Sequence, residues 1–88
     1  MRRIEVQITD PIGLHARPAS YLCQEAGKHE SDIFLKKDTT TANLKSIMNV
    51  MSLGIKTKEI VTIEAEGKDE DQAIDALIKV MQEQKIIE

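Results

Sequence analysis

The hydrophobic pattern changes its period several times within 88 residues, and this limits the folds that the chain can adopt. Ile4, Val6 and Ile8 alternate with polar residues, which is typical of a half-buried strand. From Ala16 the apolar residues recur at helical spacing, and Gly27 is positioned to end that helix as its C′ residue. This alternation of short strands and helices favours a two-layer α+β sandwich with the helices on one face of a sheet.

The rest of the chain continues the alternation. Further strands are predicted at residues 33–35, 40–42 and 61–65. Apolar residues at helical spacing in residues 44–51 predict a short helix that Gly54 ends. Asp69 is placed to cap a last helix, with Gln72 three residues later as in a capping box. The resulting order is β-α-β-β-α-β-α, and the pattern does not decide how the strands are arranged in the sheet.

Length and composition limit the class of protein. A chain of 88 residues predicts one domain spanning residues 1–88, without room for a large buried ligand cavity. Twelve basic and fifteen acidic residues give a net charge of −3, which argues against a nucleic-acid partner. Tyr21 and Phe34 are the only aromatic residues, which also argues against a surface that stacks bases.

The sequence favours a cytoplasmic protein. The amino-terminal segment alternates polar and apolar residues, so no signal peptide is predicted, and no apolar run has membrane-spanning length. Cys23 is the only cysteine, which excludes an internal disulfide and is typical of a reducing compartment. Its position on the first helix predicts a small apolar residue of the core.

The candidate functional residue is His15, in the segment Gly13-Leu14-His15-Ala16-Arg17-Pro18-Ala19. This segment joins the strand-ending turn to the first helical turn, where unpaired backbone N–H groups and the helix dipole favour an anion. Arg17 adds a guanidinium that can hold phosphate oxygens in a bidentate manner. The residues around His15 are therefore compatible with a phosphohistidine site, with Ala16, Arg17 and Pro18 as the candidate phosphate-binding residues.

Other interpretations of His15 stay open from these residues alone. A histidine before a helix often serves only as a cap or as a solvated surface residue. The sequence places no second histidine, cysteine or carboxylate next to His15, so neither a metal site nor a Ser–His–Asp arrangement is predicted, and no cofactor is expected. The second histidine, His29, is predicted to be a solvated loop residue.

Two separated segments resemble one known family. The His15 segment, together with Asn43-Leu44-Lys45-Ser46-Ile47-Met48-Asn49-Val50-Met51-Ser52-Leu53-Gly54, closely resembles HPr, the histidine-containing phosphocarrier of the bacterial sugar phosphotransferase system, in its Gram-positive form. The resemblance extends over the whole chain in length and element order. It implies an open-faced β-sandwich, with a four-stranded antiparallel sheet and three helices on one face.

The same resemblance implies a function. Enzyme I, charged from phosphoenolpyruvate, would phosphorylate His15 on Nδ1, Arg17 would clamp the phosphoryl group, and the group would pass to IIA domains of sugar permeases. Such a protein is a carrier rather than an enzyme. A monomer is expected, since one face must serve several partners.

The second segment implies regulation. In Gram-positive HPr proteins, a serine at the position of Ser46 is phosphorylated by an HPr kinase/phosphorylase, and the product acts with the catabolite control protein. Ser46 precedes the short helix, where added negative charge meets the helix dipole favourably. A helix-capping role alone is the simpler interpretation.

The short helix carries more apolar residues than one buried stripe can hold, so some of them must face water. Ile47, Met48 and Met51, together with Leu14, are predicted to form a docking patch for protein partners. Two residues depart from the family pattern: Ile12 replaces a small polar residue, and Asn49 replaces a glycine.

Two other functions compete with phosphoryl transfer. One is a mainly regulatory module that acts in carbon catabolite repression through phosphorylated Ser46. The other is a small α+β enzyme or metal-binding domain, which the scarcity of paired acid and base residues disfavours.

Overall fold

A computed structural model describes all 88 residues and contains four strands and three helices. In chain order the elements are β1 (Arg2–Gln7), α1 (Ala16–Gly27), β2 (Asp32–Lys37), β3 (Thr40–Asn43), α2 (Ile47–Ser52), β4 (Ile60–Glu66) and α3 (Glu70–Glu83). The predicted element order, including the short third strand, is confirmed. None of the helices is long and apolar enough to cross a membrane.

The strands form one antiparallel sheet in the order β1-β4-β2-β3, which the sequence pattern left undecided. The register places Ile4 opposite Ile63, Ile63 opposite Leu35, and Leu35 opposite Ala42. Because successive side chains of a strand point to opposite faces, this row of apolar residues lies on a single face of the sheet.

The helices cover this apolar face. α3 packs on β1 and β4, α1 packs against α3 and α2, and together they enclose a single hydrophobic core. The opposite face is polar. There Glu64, only 5% exposed, pairs with Arg3 at 2.8 Å and with Lys36 at 3.2 Å. The architecture is therefore the predicted open-faced β-sandwich.

The end of α1 differs from the prediction. Gly27 is the last residue of the helix rather than a left-handed C′ residue. Lys28 follows as the C-cap in a right-handed conformation, and its N–H donates to the carbonyl oxygens of Ala26 and Glu25. The turn continues without a positive φ, so it does not require the conformational freedom of glycine at this point.

The start of α3 also differs. Asp69 is the N-cap residue, but its side chain makes no capping bond, and the predicted capping box with Gln72 is wrong. Its carboxylate instead accepts hydrogen bonds from the N–H groups of Glu30 and Ser31, at 2.9 Å each, and from the hydroxyl of Ser31. The Ser31 hydroxyl, followed by these amides, lowers the pKa of Asp69 from its usual 3.8 to about 2.

His29 is not the solvated loop residue that was predicted, since its side chain is only 14% exposed. Nε2 lies 2.9 Å from the Glu25 carboxylate and Nδ1 lies 3.5 Å from that of Asp69. The backbone carbonyl of His29 accepts a 2.8 Å hydrogen bond from the Lys45 ammonium. His29 therefore joins the end of α1 to the start of α3, because the last turn of α1 places it four residues after Glu25.

Candidate functional site

His15 is the N-cap residue of α1 and has an extended backbone, with φ −85° and ψ −174°. Its side chain makes no hydrogen bond to the helix amides, so the ring does not serve as a cap. The side chain is 28% exposed. The imidazole is therefore partly open to solvent at the start of the helix and is not used to hold the helix together.

Two backbone N–H groups beside this ring are unpaired. The first hydrogen bond of α1 runs from the N–H of Ala19 to the carbonyl of His15, at 3.0 Å, and the N–H groups of Ala16 and Arg17 have no acceptor within the chain. The Arg17 side chain is exposed and forms no ion pair. Free amides and the positive end of a helix dipole attract anions. An anion bound here can therefore contact two amides and a guanidinium next to the ring.

Pro18, the third predicted phosphate-binding residue, offers no backbone donor to a phosphate. It has no N–H to donate, and it is buried in the first turn of α1. Its fixed φ suits the first turn of a helix, where its missing N–H removes no hydrogen bond. Pro18 therefore shapes the helix start, and the two free amides belong to Ala16 and Arg17.

A tight loop holds His15 against the segment that follows α2. Gly13 has φ +84°, and its N–H donates to the carbonyl of Asp10 at 2.9 Å. The N–H of Leu14 donates to the carbonyl of Ile55 at 3.0 Å. A Cβ at Gly13 would lie only 2.7 Å from that same Ile55 oxygen. The loop therefore needs glycine at this position for both its backbone angle and its closeness to Ile55.

Asp10 is a residue of this site that the sequence analysis missed. It is 7% exposed, its Oδ1 accepts a 2.9 Å hydrogen bond from the N–H of Ile12, and its Oδ2 lies 3.6 Å from Nε2 of His15. The sequence pattern predicts a strand-ending turn before His15, but it does not indicate a carboxylate partner for the ring. An aspartate that folds back onto the residue two positions later is a common turn geometry, and it could have indicated this contact.

The segment behind the loop is fixed by an ion pair. Glu59 accepts a 2.7 Å hydrogen bond from the N–H of Lys56 and pairs with the Lys37 ammonium at 3.0 Å. The Lys56 amide, followed by Lys37, holds the pKa of Glu59 below its usual value. The N–H of Lys58 also donates to the carbonyl of Ile8, the residue that follows β1. These bonds fix the stretch of backbone against which Leu14 is held.

Ser46 lies where the sequence placed it, at the start of the short helix. It is the N-cap of α2, and its hydroxyl accepts a 3.3 Å hydrogen bond from the N–H of Asn49. The residue is half-buried. Ser46 therefore caps α2 as predicted, and a hydroxyl in this role can still be modified.

The predicted docking patch is exposed except for one member. Met48 is 80% exposed, and Ile47 and Met51 are each 40% exposed, because Val50 carries the buried face of α2. Leu14 is only 5% exposed and belongs to the core. Its prediction as an exposed docking residue was wrong, because the hydrogen bond of its N–H to Ile55 holds this residue against the body of the protein. The patch is thus formed by Ile47, Met48 and Met51.

The fold and the site together define a class of protein. One histidine lies at a helix start, flanked by free amides and an arginine, and an exposed apolar patch is present on α2. Neither of the two surface depressions of the chain includes His15 among its lining residues. An exposed site of this kind suits a carrier that exchanges a small group with larger proteins.

Comparisons with known proteins agree with this class. The sequence model of a family described as "PTS HPr component phosphorylation site" matches residues 2–83. The phosphocarrier protein HPr of Mycoplasma capricolum is 48% identical over 88 residues, covering 100% of this chain and 99% of the relative. A solved structure of a mycoplasma histidine-containing phosphocarrier protein has a TM-score of 0.96 and 47% identity, and the match covers 99% of both chains. The HPr-like protein Crh of Bacillus subtilis is 43% identical over 83 residues, covering 94% of this chain and 95% of the relative.

The chain belongs to the HPr family of phosphocarrier proteins. It is therefore a carrier of the phosphotransferase system rather than an enzyme.

Proposed function

We propose that His15 accepts a phosphoryl group from enzyme I, which phosphoenolpyruvate has charged, and passes it to IIA domains of sugar permeases. The observation that carries this proposal is the position of His15 at the start of α1, beside two unpaired amides and the free guanidinium of Arg17. These groups are what a phosphoryl group needs in order to be held while it is attached to the ring.

The burial of one ring nitrogen supports Nδ1 as the nucleophile. Nε2 of His15 is fully buried and faces Asp10, so an incoming phosphoryl group cannot reach it. Nδ1 is the remaining nitrogen of the ring. On this proposal, Nδ1 attacks the phosphorus atom, and the amides of Ala16 and Arg17 bind the phosphoryl oxygens through charge-assisted hydrogen bonds.

Arg17 acts as the phosphate clamp in this proposal. Its guanidinium has no competing carboxylate, so it can turn toward the phosphoryl oxygens without breaking an existing ion pair. The fork of five donors suits phosphate better than the single ammonium of a lysine does.

We propose that Ile47, Met48 and Met51 form the contact surface for enzyme I and for the IIA domains. Their exposure supports this, because soluble proteins seldom expose adjacent large apolar side chains without a use for them. Methionine is flexible and polarisable, which suits a surface that must fit several partners.

We also propose that Ser46 is a regulatory phosphorylation site for an HPr kinase/phosphorylase, with the catabolite control protein as a further partner. A phosphate at the N-cap of α2 would face the positive end of the helix and add about two negative charges next to the docking patch. The helix is expected to stay folded, so the charge would act on partner binding. A mainly regulatory role through Ser46 is the second candidate function, and the likeness to Crh favours it, since a solved structure describes Crh as the Bacillus subtilis catabolite repression HPr.

The proposal extends to the setting in which the protein works. Residues 1–88 would act as one HPr-like domain, as a monomer in the cytoplasm, without a cofactor, a metal or a nucleic-acid partner. A monomer suits a carrier that presents the same face to each partner. Sedimentation at working concentration tests this directly, and a stable dimer that covers Met48 would contradict it.

Intact-mass spectrometry tests the carrier function. The protein is incubated with enzyme I, phosphoenolpyruvate and Mg²⁺. His15→Ala is compared with His29→Ala, the control variant that lacks the other histidine of the chain. We expect an acid-labile gain of one phosphate in the wild type and in His29→Ala, and none in His15→Ala. No gain in the folded wild type with an active enzyme I would reject phosphoryl transfer and favour the regulatory candidate.

A further inference from the structure

A buried carboxylate faces the buried nitrogen of His15. Asp10 is held in place on one side, because its Oδ1 accepts a 2.9 Å hydrogen bond from the N–H of Ile12. Its other oxygen, Oδ2, lies 3.6 Å from Nε2 of His15. Nε2 is fully buried and has no hydrogen-bond partner, and the Asp10 side chain is only 10% exposed. A nitrogen left without a partner in the interior is uncommon and calls for a physical explanation.

The chemistry of the pair decides which nitrogen carries the proton. A neutral imidazole has one N–H donor and one acceptor nitrogen, whereas an ionised carboxylate only accepts. A bare Nε2 lone pair would face the negative oxygen at 3.6 Å and be repelled, whereas an Nε2–H group is attracted. The geometry therefore favours the tautomer with the proton on Nε2, and this leaves the lone pair on Nδ1, the nitrogen that has to react.

We propose that Asp10 is a positioning residue for His15: it fixes the Nε2–H tautomer and balances the charge that the ring gains on phosphorylation. This inference rests on the proposed phosphocarrier function and adds a residue to its machinery. The equivalent arrangement in serine proteases also uses an aspartate to hold the tautomer of a reacting histidine.

The transfer step balances with Asp10 in this role. The Nδ1 lone pair attacks the phosphorus of the phosphorylated donor, and the Nδ1–P bond forms. The bond between phosphorus and the donor breaks, and its electron pair leaves with the donor. The proton stays on Nε2 throughout, so the His15 ring becomes positive, and the Asp10 carboxylate offsets this charge. We expect the distance from Nε2 to Oδ2 to shorten to about 2.8 Å in the phosphorylated protein, as for a charge-assisted hydrogen bond.

The wild-type tautomer is the first test, and it needs neither enzyme I nor a variant. Two-dimensional ¹H–¹⁵N spectra that correlate ring nitrogens with ring protons distinguish Nε2–H from Nδ1–H in neutral His15. A predominant Nε2–H form is expected. A predominant Nδ1–H form would overturn the role of Asp10, whether or not the protein is phosphorylated.

The second test compares Asp10→Asn with Asp32→Asn, which removes an exposed carboxylate without an ion pair or side-chain hydrogen bond. The amide oxygen of Asp10→Asn keeps the bond to Ile12, so its NH₂ group turns toward Nε2 and donates to it. His15 should then shift toward the Nδ1–H tautomer, and the maximal rate of phosphorylation should fall by about 10- to 100-fold. The KM for the carrier should be unchanged, because Asp10 is buried and cannot touch a partner protein.

Each outcome of the second test separates the two proposals. Wild-type rates and tautomer in Asp10→Asn overturn the positioning role while leaving phosphoryl transfer intact. Absence of phosphorylation in the wild type and in Asp32→Asn rejects the proposed function, and the tautomer measurement then still decides whether Asp10 orients the ring. Circular dichroism checks that each variant is folded. If Asp10→Asn does not fold, the ¹H–¹⁵N spectrum of the wild type alone decides whether Asp10 fixes the tautomer.

Discussion

The backbone N–H of Leu14 donates a 3.0 Å hydrogen bond to the carbonyl oxygen of Ile55, and this bond joins the loop before His15 to the segment that follows α2. It buries Leu14 and fixes the start of α1 relative to the rest of the chain. The position of the His15 ring therefore depends on a backbone contact between residues 41 positions apart.

Gly13→Ala should disrupt this contact. The new Cβ would lie 2.7 Å from the Ile55 oxygen and 2.9 Å from Cα of Lys56, in a residue with φ +84°. The backbone angle alone costs roughly 1–3 kcal/mol, and the steric overlap adds to that cost. We expect urea unfolding to show this loss and the phosphorylation rate to fall with it.

Gly27→Ala is the matched control. No atom lies within 4 Å of a Cβ placed there, and the residue is the last of α1. Its stability should be unchanged or raised by up to about 1 kcal/mol, because alanine suits a helix better than glycine does. Equal stability of the two variants would contradict the close packing of Gly13 on Ile55.

Two substitutions of Ser46 separate the effect of the helix cap from the effect of an added negative charge. Ser46→Ala removes the acceptor of the Asn49 N–H and should lower the free energy of unfolding by about 1 kcal/mol. Ser46→Asp keeps an acceptor and adds a negative charge at the positive end of the helix, so its stability should stay close to that of the wild type. Its transfer from enzyme I should nevertheless be slower, as measured by the rate of mass gain.

Ser52→Asp is the control for added charge. Ser52 lies at the other end of α2, where its hydroxyl donates to the Asn49 carbonyl at 2.6 Å, and a negative charge there opposes the helix dipole. It should therefore be less stable than Ser46→Asp. If Ser46→Asp and Ser52→Asp slow transfer equally, any negative charge near the docking patch slows transfer, and the N-cap position has no specific effect.

The sequence was sufficient to predict the strands and helices and to place His15 at the start of α1, but not to predict contacts that the tertiary structure creates. Alternation and helical spacing are local properties, so the strands and helices could be predicted from them. The burial of Leu14 depends on Ile55, and the contact of Asp10 with His15 depends on the shape of the loop between them. The contact of His29 with Glu25 could be predicted, because residues four apart are neighbours on a helix. The contact of His29 with Asp69 could not, because these residues lie forty positions apart in the chain.

Met48→Ala tests the docking patch. The side chain is 80% exposed, so its removal should change the free energy of unfolding by less than about 0.5 kcal/mol. If it is a central contact for partners, the KM for transfer should rise by roughly 5- to 30-fold with little change in the maximal rate. Ile60→Ala is the control, because Ile60 is a 63% exposed apolar residue that borders the depression on the polar face of the sheet. An equal effect of both variants would mean that Met48 has no specific role.

The hydrogen bonds of Asp69 should make stability depend on pH at the acid end. The pKa of this carboxyl is lowered from 3.8 to about 2, chiefly by the Ser31 hydroxyl, so the folded state favours its ionised form. A lowered pKa stabilises the fold fully above the unfolded value, and the contribution is lost as the pH falls from about 4 toward 2.

Comparing melting temperatures of the wild type and Asp69→Asn across pH isolates this contribution, because the other carboxylates are common to both proteins. Asp69→Asn should melt at a lower temperature at pH 5 and above, and the difference should shrink between about pH 4 and pH 2 as the wild-type carboxylate is protonated. Asp32→Asn, without a hydrogen-bond partner, should track the wild type throughout. A difference for Asp69→Asn that stays constant down to pH 2 would mean that the contribution of Asp69 to stability does not depend on the charge of its carboxylate.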